Sequence, residues 1–136
     1  MTRYVALVDG GAGAYGVQFP DAPGCTAMGA TLDEALHNAA EALAEWVCDE
    51  ASDGRPVPVA RLMEQVRADA EVRDAIASGA VPALVALIQN SGKPVRANLS
   101  LDAGLLQAID EAAARAGLTR SAFLATAARE KIEAGA

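Results

Sequence analysis

The chain has 136 residues, 52% of them hydrophobic and 21% charged, with a formal net charge of −7. That length holds one ordinary domain or two small ones, and no apolar run approaches the roughly 20 residues of a membrane span. Two cysteines, Cys25 and Cys48, lie at no metal-ligand spacing and His37 is the only histidine, so a structural zinc site with its four ligands is not expected.

The chain opens with Tyr4, Val5, Ala6, Leu7 and Val8, a buried-strand pattern from Arg3 to Val8. Asp9-Gly10-Gly11-Ala12-Gly13 is turn sequence. Ala14 to Phe19 reads as a second strand, making a hairpin. The prolines of Pro20-Asp21-Ala22-Pro23-Gly24 fix φ and deny donors to any ladder, so this is a rigid loop. Cys25 to Ala30 supplies a third strand. Thr31 and Glu34 then have capping-box spacing, and Leu32, Leu36, Ala39, Ala40, Leu43 and Val47 form a helical stripe to about Glu50. Ser52 to Val59 is a Pro- and Gly-containing loop. Ala60 to Ser78 is expected to be helical but uneven, and Gly79 ends it. Val81 to Gln89 is expected as a fourth strand, its length also allowing a buried helical turn. Asn90-Ser91-Gly92-Lys93-Pro94 is turn chemistry and marks the domain boundary. The expectation is an α+β chain. Residues 1–91 form a β-β-β-α-(α)-β domain with an antiparallel sheet, one face covered by a helix, and residues 92–136 form a second, β-α-α domain.

That second domain carries the most specific chemistry. Val95, Ala97, Leu99 and Leu101 alternate with Arg96, Asn98 and Ser100, the period of a half-buried strand. Its polar face holds a guanidinium, an amide and a hydroxyl, groups able to bond base edges in a major groove. A single short strand cannot pair with itself, so a second copy of the chain is required. Asp102 is placed as an N-cap. Leu105, Leu106, Ile109, Ala112, Ala113 and Ala116 recur at helical spacing, with Gly117 as the terminator. Thr119 caps a second helix with Phe123, Leu124, Ala127, Ala128 and Ile132 as its stripe. The amides of Thr119, Arg120 and Ser121 at that helix start suit a DNA phosphate.

The stretch Val-Arg-Ala-Asn-Leu-Ser-Leu-Asp, followed by Gly-Leu-Thr-Arg-Ser-Ala-Phe-Leu, resembles the ribbon-helix-helix repressors of the Arc, MetJ and CopG types. The resemblance implies that Arg96, Asn98 and Ser100 read bases and that Thr119, Arg120 and Ser121 clamp phosphates. It also implies a homodimer on operator DNA, with a higher oligomer open if the N-terminal domains associate.

Charge divides unevenly. Residues 1–91 hold five Lys plus Arg against thirteen Asp plus Glu, a net of −8, and residues 92–136 hold six against five, a net of +1. DNA contact is therefore expected only in the second domain, and the first is suited to a basic partner. Gly16-Val17-Gln18-Phe19-Pro20-Asp21-Ala22-Pro23-Gly24-Cys25, then Gly29-Ala30-Thr31-Leu32-Asp33-Glu34-Ala35, Ala39 to Leu43 and Gly54 to Pro58, resemble the HicB antitoxin family, one branch of which carries a ribbon-helix-helix module. Ala30 departs from the family's usual acidic residue, and the Gly-Gly-Ala-Gly turn has fewer acids than is usual there.

The resemblance implies an antitoxin that blocks a HicA-type toxin, a small basic ribonuclease that cuts mRNA, and that represses its own operon. Asp9, Tyr15, Phe19 and Asp21, on the first hairpin and the Pro-Gly loop, are the expected toxin-binding residues, with Phe19 and Tyr15 also readable as core. Trp46 is expected on the sheet or at a subunit contact. The rival reading is a stand-alone repressor whose N-terminal domain senses a small ligand. No catalytic residues, metal or cofactor are expected: one histidine permits no Ser-His-Asp or Cys-His arrangement, and the strands lack convergent carboxylates for a two-metal site. The N-terminus shows no signal-peptide pattern, so a cytoplasmic location with two reduced thiols is expected.

Overall fold

The structure is a computed structural model that describes residues 1–135. It divides into two compact units, Met1–Asn90 and Ser91–Ala136.

The first unit is built on strands β1 (Arg3–Gly11), β2 (Ala14–Gln18), β3 (Thr26–Gly29) and β4 (Val81–Ala86), in the order β3-β2-β1-β4. All three pairings are antiparallel. In register, Val8 faces Val17 and Val81, and Tyr4 faces Val85. Directly opposed residues share a face, so Tyr4, Ala6 and Val8 point to one side of the sheet and Val5 and Leu7 to the other.

Helix α1 (Leu32–Ser52) covers the first side. Thr31 caps it, accepting from the Glu34 N–H at 3.1 Å. Ala35, Ala39, Ala40, Leu43 and Val47 are its buried stripe, packed with Tyr4, Ala6, Val8, Val17, Phe19 and Val85. Trp46 is half-buried against this cluster. Small residues let the helix lie close to the sheet. A Cβ on Gly29 of β3 would stand 2.4 Å from the Ala35 nitrogen, so glycine is required there by proximity. Leu43 is fully buried. Its replacement by Ala is expected to cost about 2–5 kcal/mol, read as a lower urea midpoint with an unchanged slope.

The second side is covered too, but only over β1, which goes beyond the one helix-covered face that the sequence suggests. Val5 and Leu7 pack with Val66, Val72 and Ala80, joined by Met63, Ala75 and Ile76. The five consecutive buried residues of β1, Tyr4 to Val8, are the consequence. The covering segment is two short helices, α2 (Met63–Arg67) and α3 (Ala70–Ala77), rather than one uneven helix. The break falls at Asp69, the N-cap of α3, whose backbone is extended. Its carboxylate accepts from the Arg61 guanidinium at 3.2 and 2.8 Å. The fourth strand ends at Ala86, short of the expected Gln89.

A strap over residues 53–62 joins α1 to α2, and side chains pin it down. The Tyr4 hydroxyl donates to the Pro58 carbonyl at 2.7 Å. Asp21 accepts from the Arg61 backbone N–H at 2.9 Å and from its Nε at 2.8 Å. Hydrogen bonding to Arg61 holds the Asp69 carboxyl below its ordinary value. That contribution is complete above the ordinary carboxylate range and is lost as the pH falls through the lowered value.

Cys25 is buried and Cys48 exposed, both as free thiols. Burial pushes the Cys25 thiol up to about 11, and the thiolate is the nucleophile. Iodoacetamide is therefore expected to label Cys48 in the native protein and Cys25 only after unfolding, checked by mass spectrometry of peptides.

The second unit is an αα-hairpin, α4 (Ala103–Arg115) and α5 (Arg120–Glu133), preceded by an exposed segment. Asp102 caps α4, accepting from the N–H groups of Gly104 and Leu105 at 2.9 and 3.2 Å. The helix closes in a Schellman motif: Leu118 N–H donates to the Ala113 carbonyl at 2.8 Å and Gly117 N–H to that of Ala114 at 3.2 Å. Gly117 has φ +70°, a conformation that only glycine adopts without strain. Residues 95–101, expected as a strand, make no ladder with any of the described residues. A ladder needs a second strand, and this unit offers no other within one copy.

Candidate functional site

In the second unit, Arg96, Asn98 and Ser100 are all exposed. So are the apolar residues that alternate with them: Val95 is 89% exposed, Leu99 66% and Leu101 40%. Leu105 and Leu118 are exposed too. Among the described residues of this unit only Ile109 and Ala113 are buried, and none of those of α5 is. Two buried side chains cannot offset the ordering of some forty residues, each costing roughly 1–2 kcal/mol in backbone entropy alone. The unit therefore presents an apolar surface that a stable fold must cover.

At the start of α5, Thr119 Oγ1 accepts from the Ala122 N–H at 3.1 Å. The Arg120 and Ser121 amides lie in the first turn, where a helix offers no carbonyl four residues back. The Arg120 side chain is engaged elsewhere. Its Nε and Nη2 donate to the two Asp110 oxygens, each at 2.8 Å. The guanidinium is thus paired with a carboxylate, and what the start of α5 leaves for a phosphate is its backbone amides.

The four residues expected at a partner contact in the first unit do not share a surface. Phe19 is 3% exposed within the core under α1 and has no face to give a partner, so its place as a contact residue is withdrawn. Asp21 is a clasp: its side chain is 8% exposed and bonded to Arg61. Tyr15 is half-buried on the α1 side, opposite Gly10 and Gly29. Of the four, Asp9 is the exposed one. It stands opposite Gly16, which in turn faces Met28. Next to them, Leu7 is opposite Gln18, and Gln18 opposite Thr26. Asp9, Gln18, Thr26 and Met28 are exposed, so the β2–β3 half of the second sheet face is bare where α2 and α3 do not reach. Met28 was not singled out by sequence because a four-residue strand has too little alternation to show which side is covered. Arg61 and Asp110 were missed because their partners lie 40 and 10 residues away.

Exposed acids line the outer side of α1, among them Asp33, Glu34, Glu41, Glu45 and Asp49. An open apolar groove of about 760 Å³ runs between the strap and β4, lined by residues that include Val57, Val59, Leu62, Met63, Leu84 and Leu87. Among the described residues, no helix is long and apolar enough to cross a membrane.

Comparison with known proteins gives this geometry its relatives. The crystal structure of the Burkholderia pseudomallei antitoxin HicB is 36% identical, with a TM-score of 0.56, covering 94% of this chain and 96% of that one. A chain of a HicA3 and HicB3 toxin–antitoxin complex covers 64% of this chain and 99% of its own length with a TM-score of 0.54, and its 22% identity speaks for the fold alone. An uncharacterized 14.9 kDa protein of the rep-hol intergenic region of Haemophilus phage HP1 is 34% identical over 97 residues, 71% of each chain. Residues 4–128 match the family described as HicB_like antitoxin of bacterial toxin-antitoxin system. The chain belongs to that HicB-like antitoxin family.

Proposed function

We propose that this protein binds and blocks a HicA-type mRNA-cleaving toxin through residues 1–91 and, as a homodimer joined through residues 92–136, represses its own operon by ribbon-helix-helix DNA binding. It acts as a binding protein, not an enzyme, in the cytoplasm. The observation that carries the reading is the exposed segment before α4 in a chain of antitoxin family. Its apolar residues need a second copy to cover them, and antiparallel pairing of two such segments would do so. The pairing would leave Arg96, Asn98 and Ser100 of both copies on one outward face, sized for a major groove. The Thr119, Arg120 and Ser121 amides at the start of α5 would then meet phosphates.

The toxin contact is proposed on the first unit, where the net charge is −8 for residues 1–91. Such a surface complements an RNA-binding protein and speeds its capture. Asp9 on the bare sheet half and the acidic outer side of α1 are the available groups. The rival, a repressor that senses a small ligand, would use the apolar groove beside β4. Gel filtration separates the two. The purified chain mixed with the product of the adjacent small reading frame should elute as one stable complex. Separate elution would instead favour the ligand-sensing repressor.

A further inference from the structure

We infer that Asp110 restrains DNA binding by occupying the Arg120 guanidinium, so that the protein binds DNA less tightly and with less salt dependence than its cation count allows. The inference rests on the repressor reading. Arg120 is the first residue of α5, directly after the Thr119 cap, at the helix end proposed to meet phosphate. Both Asp110 oxygens are taken, one by Nε and one by Nη2, at 2.8 Å each. A guanidinium paired in this way spends on a carboxylate the fork of donors that it would otherwise give to a phosphate. The pair is also electrically neutral, so Arg120 displaces no counterion from DNA.

Stability does not account for the pair. Both side chains are about half exposed, and exposed pairs contribute only ~0.2–1 kcal/mol. The turn between α4 and α5 is already closed by the Schellman bonds and the Thr119 cap. The cost to DNA binding is larger in proportion. Residues 92–136 carry six cations against five acids, Asp110 among them, so removing the Asp110 charge alone would raise the net from +1 to +2 and free the cation at the head of α5.

The test measures fluorescence anisotropy of a labelled duplex spanning the region upstream of the protein's own reading frame, and of a scrambled duplex, over a salt series. Asp110→Asn should steepen the salt dependence by about 0.9 per protomer, hence about 1.8 for a dimer, equivalent to about a 3.5-fold greater affinity change per twofold change in salt. Adding Arg120→Gln to that variant should cancel the gain. An unchanged slope in Asp110→Asn, or a steeper slope that survives Arg120→Gln, overturns the inference. Should the variant unfold, the Arg120 Nε–H resonance of the unaltered protein decides instead. It should stay unmoved when DNA is added if Asp110 keeps it, and a phosphate-induced shift overturns the proposal. If neither protein binds either duplex, the repressor reading fails and this inference with it. Wild-type binding with an unchanged Asp110→Asn slope sinks the inference alone.

Discussion

Arg96→Ala should abolish the preference for operator over scrambled DNA while leaving toxin binding intact. Arg96 is exposed on a segment whose alternate residues are apolar, and in the proposed dimer it appears twice on the reading face. A bidentate contact to a base is worth about 1–3 kcal/mol. Loss of two therefore removes about 2–6 kcal/mol of discrimination, roughly 30-fold to 10⁴-fold. Binding to scrambled DNA should persist more weakly, because the phosphate contacts proposed at α5 do not involve Arg96. Anisotropy on the two duplexes checks this, and retained discrimination would refute the strand assignment for residues 95–101. Toxin binding is the internal control, since the first unit has its own core and does not include this segment.

Leu99→Asp should convert the dimer to a monomer and destroy DNA binding. Leu99 is 66% exposed in one copy, and the dimer reading buries it. Burying a leucine contributes about 1.5–3 kcal/mol, and an unpaired carboxylate in its place costs several kcal/mol more. With two copies per dimer, dissociation should strengthen by roughly 10³-fold or more. Sedimentation equilibrium reads the outcome directly. A Leu99→Asp dimer as tight as the wild type would show that other surfaces join the chains.

Local chemistry made the helix ends legible. Thr31, Asp102 and Thr119 cap where their side chains suggest, and Gly117 terminates α4 as its type favours. The hairpin of β1 and β2 followed from its glycine turn. The unbroken apolar run Tyr4–Val8 held more than was read from it: a strand buried on both faces has no polar alternation, and here the second cover is the α2–α3 pair. The pattern of residues 60–78 gives no sign of the break at Asp69, whose carboxylate is paired with Arg61, an ion pair that periodicity does not register. Among the residues expected at a partner contact, the aromatic Phe19 belongs to the core, since its depth depends on where α1 lies and not on its loop-edge position. Asp21 similarly looked free in the sequence and is held by a residue 40 positions away. The alternation of Arg96, Asn98 and Ser100 with apolar residues is plain in the sequence, and the proposed DNA contact rests on that pattern.

The most direct test of the antitoxin reading follows cleavage of an mRNA by the product of the adjacent small reading frame while this protein is titrated in. Cleavage should fall linearly and stop at a fixed stoichiometric ratio, with Leu99→Asp inhibiting as well as the wild type if the first unit alone covers the toxin. Undiminished cleavage at excess protein would contradict the antitoxin reading and favour the rival, a proposed ribbon-helix-helix repressor whose first unit senses a small ligand.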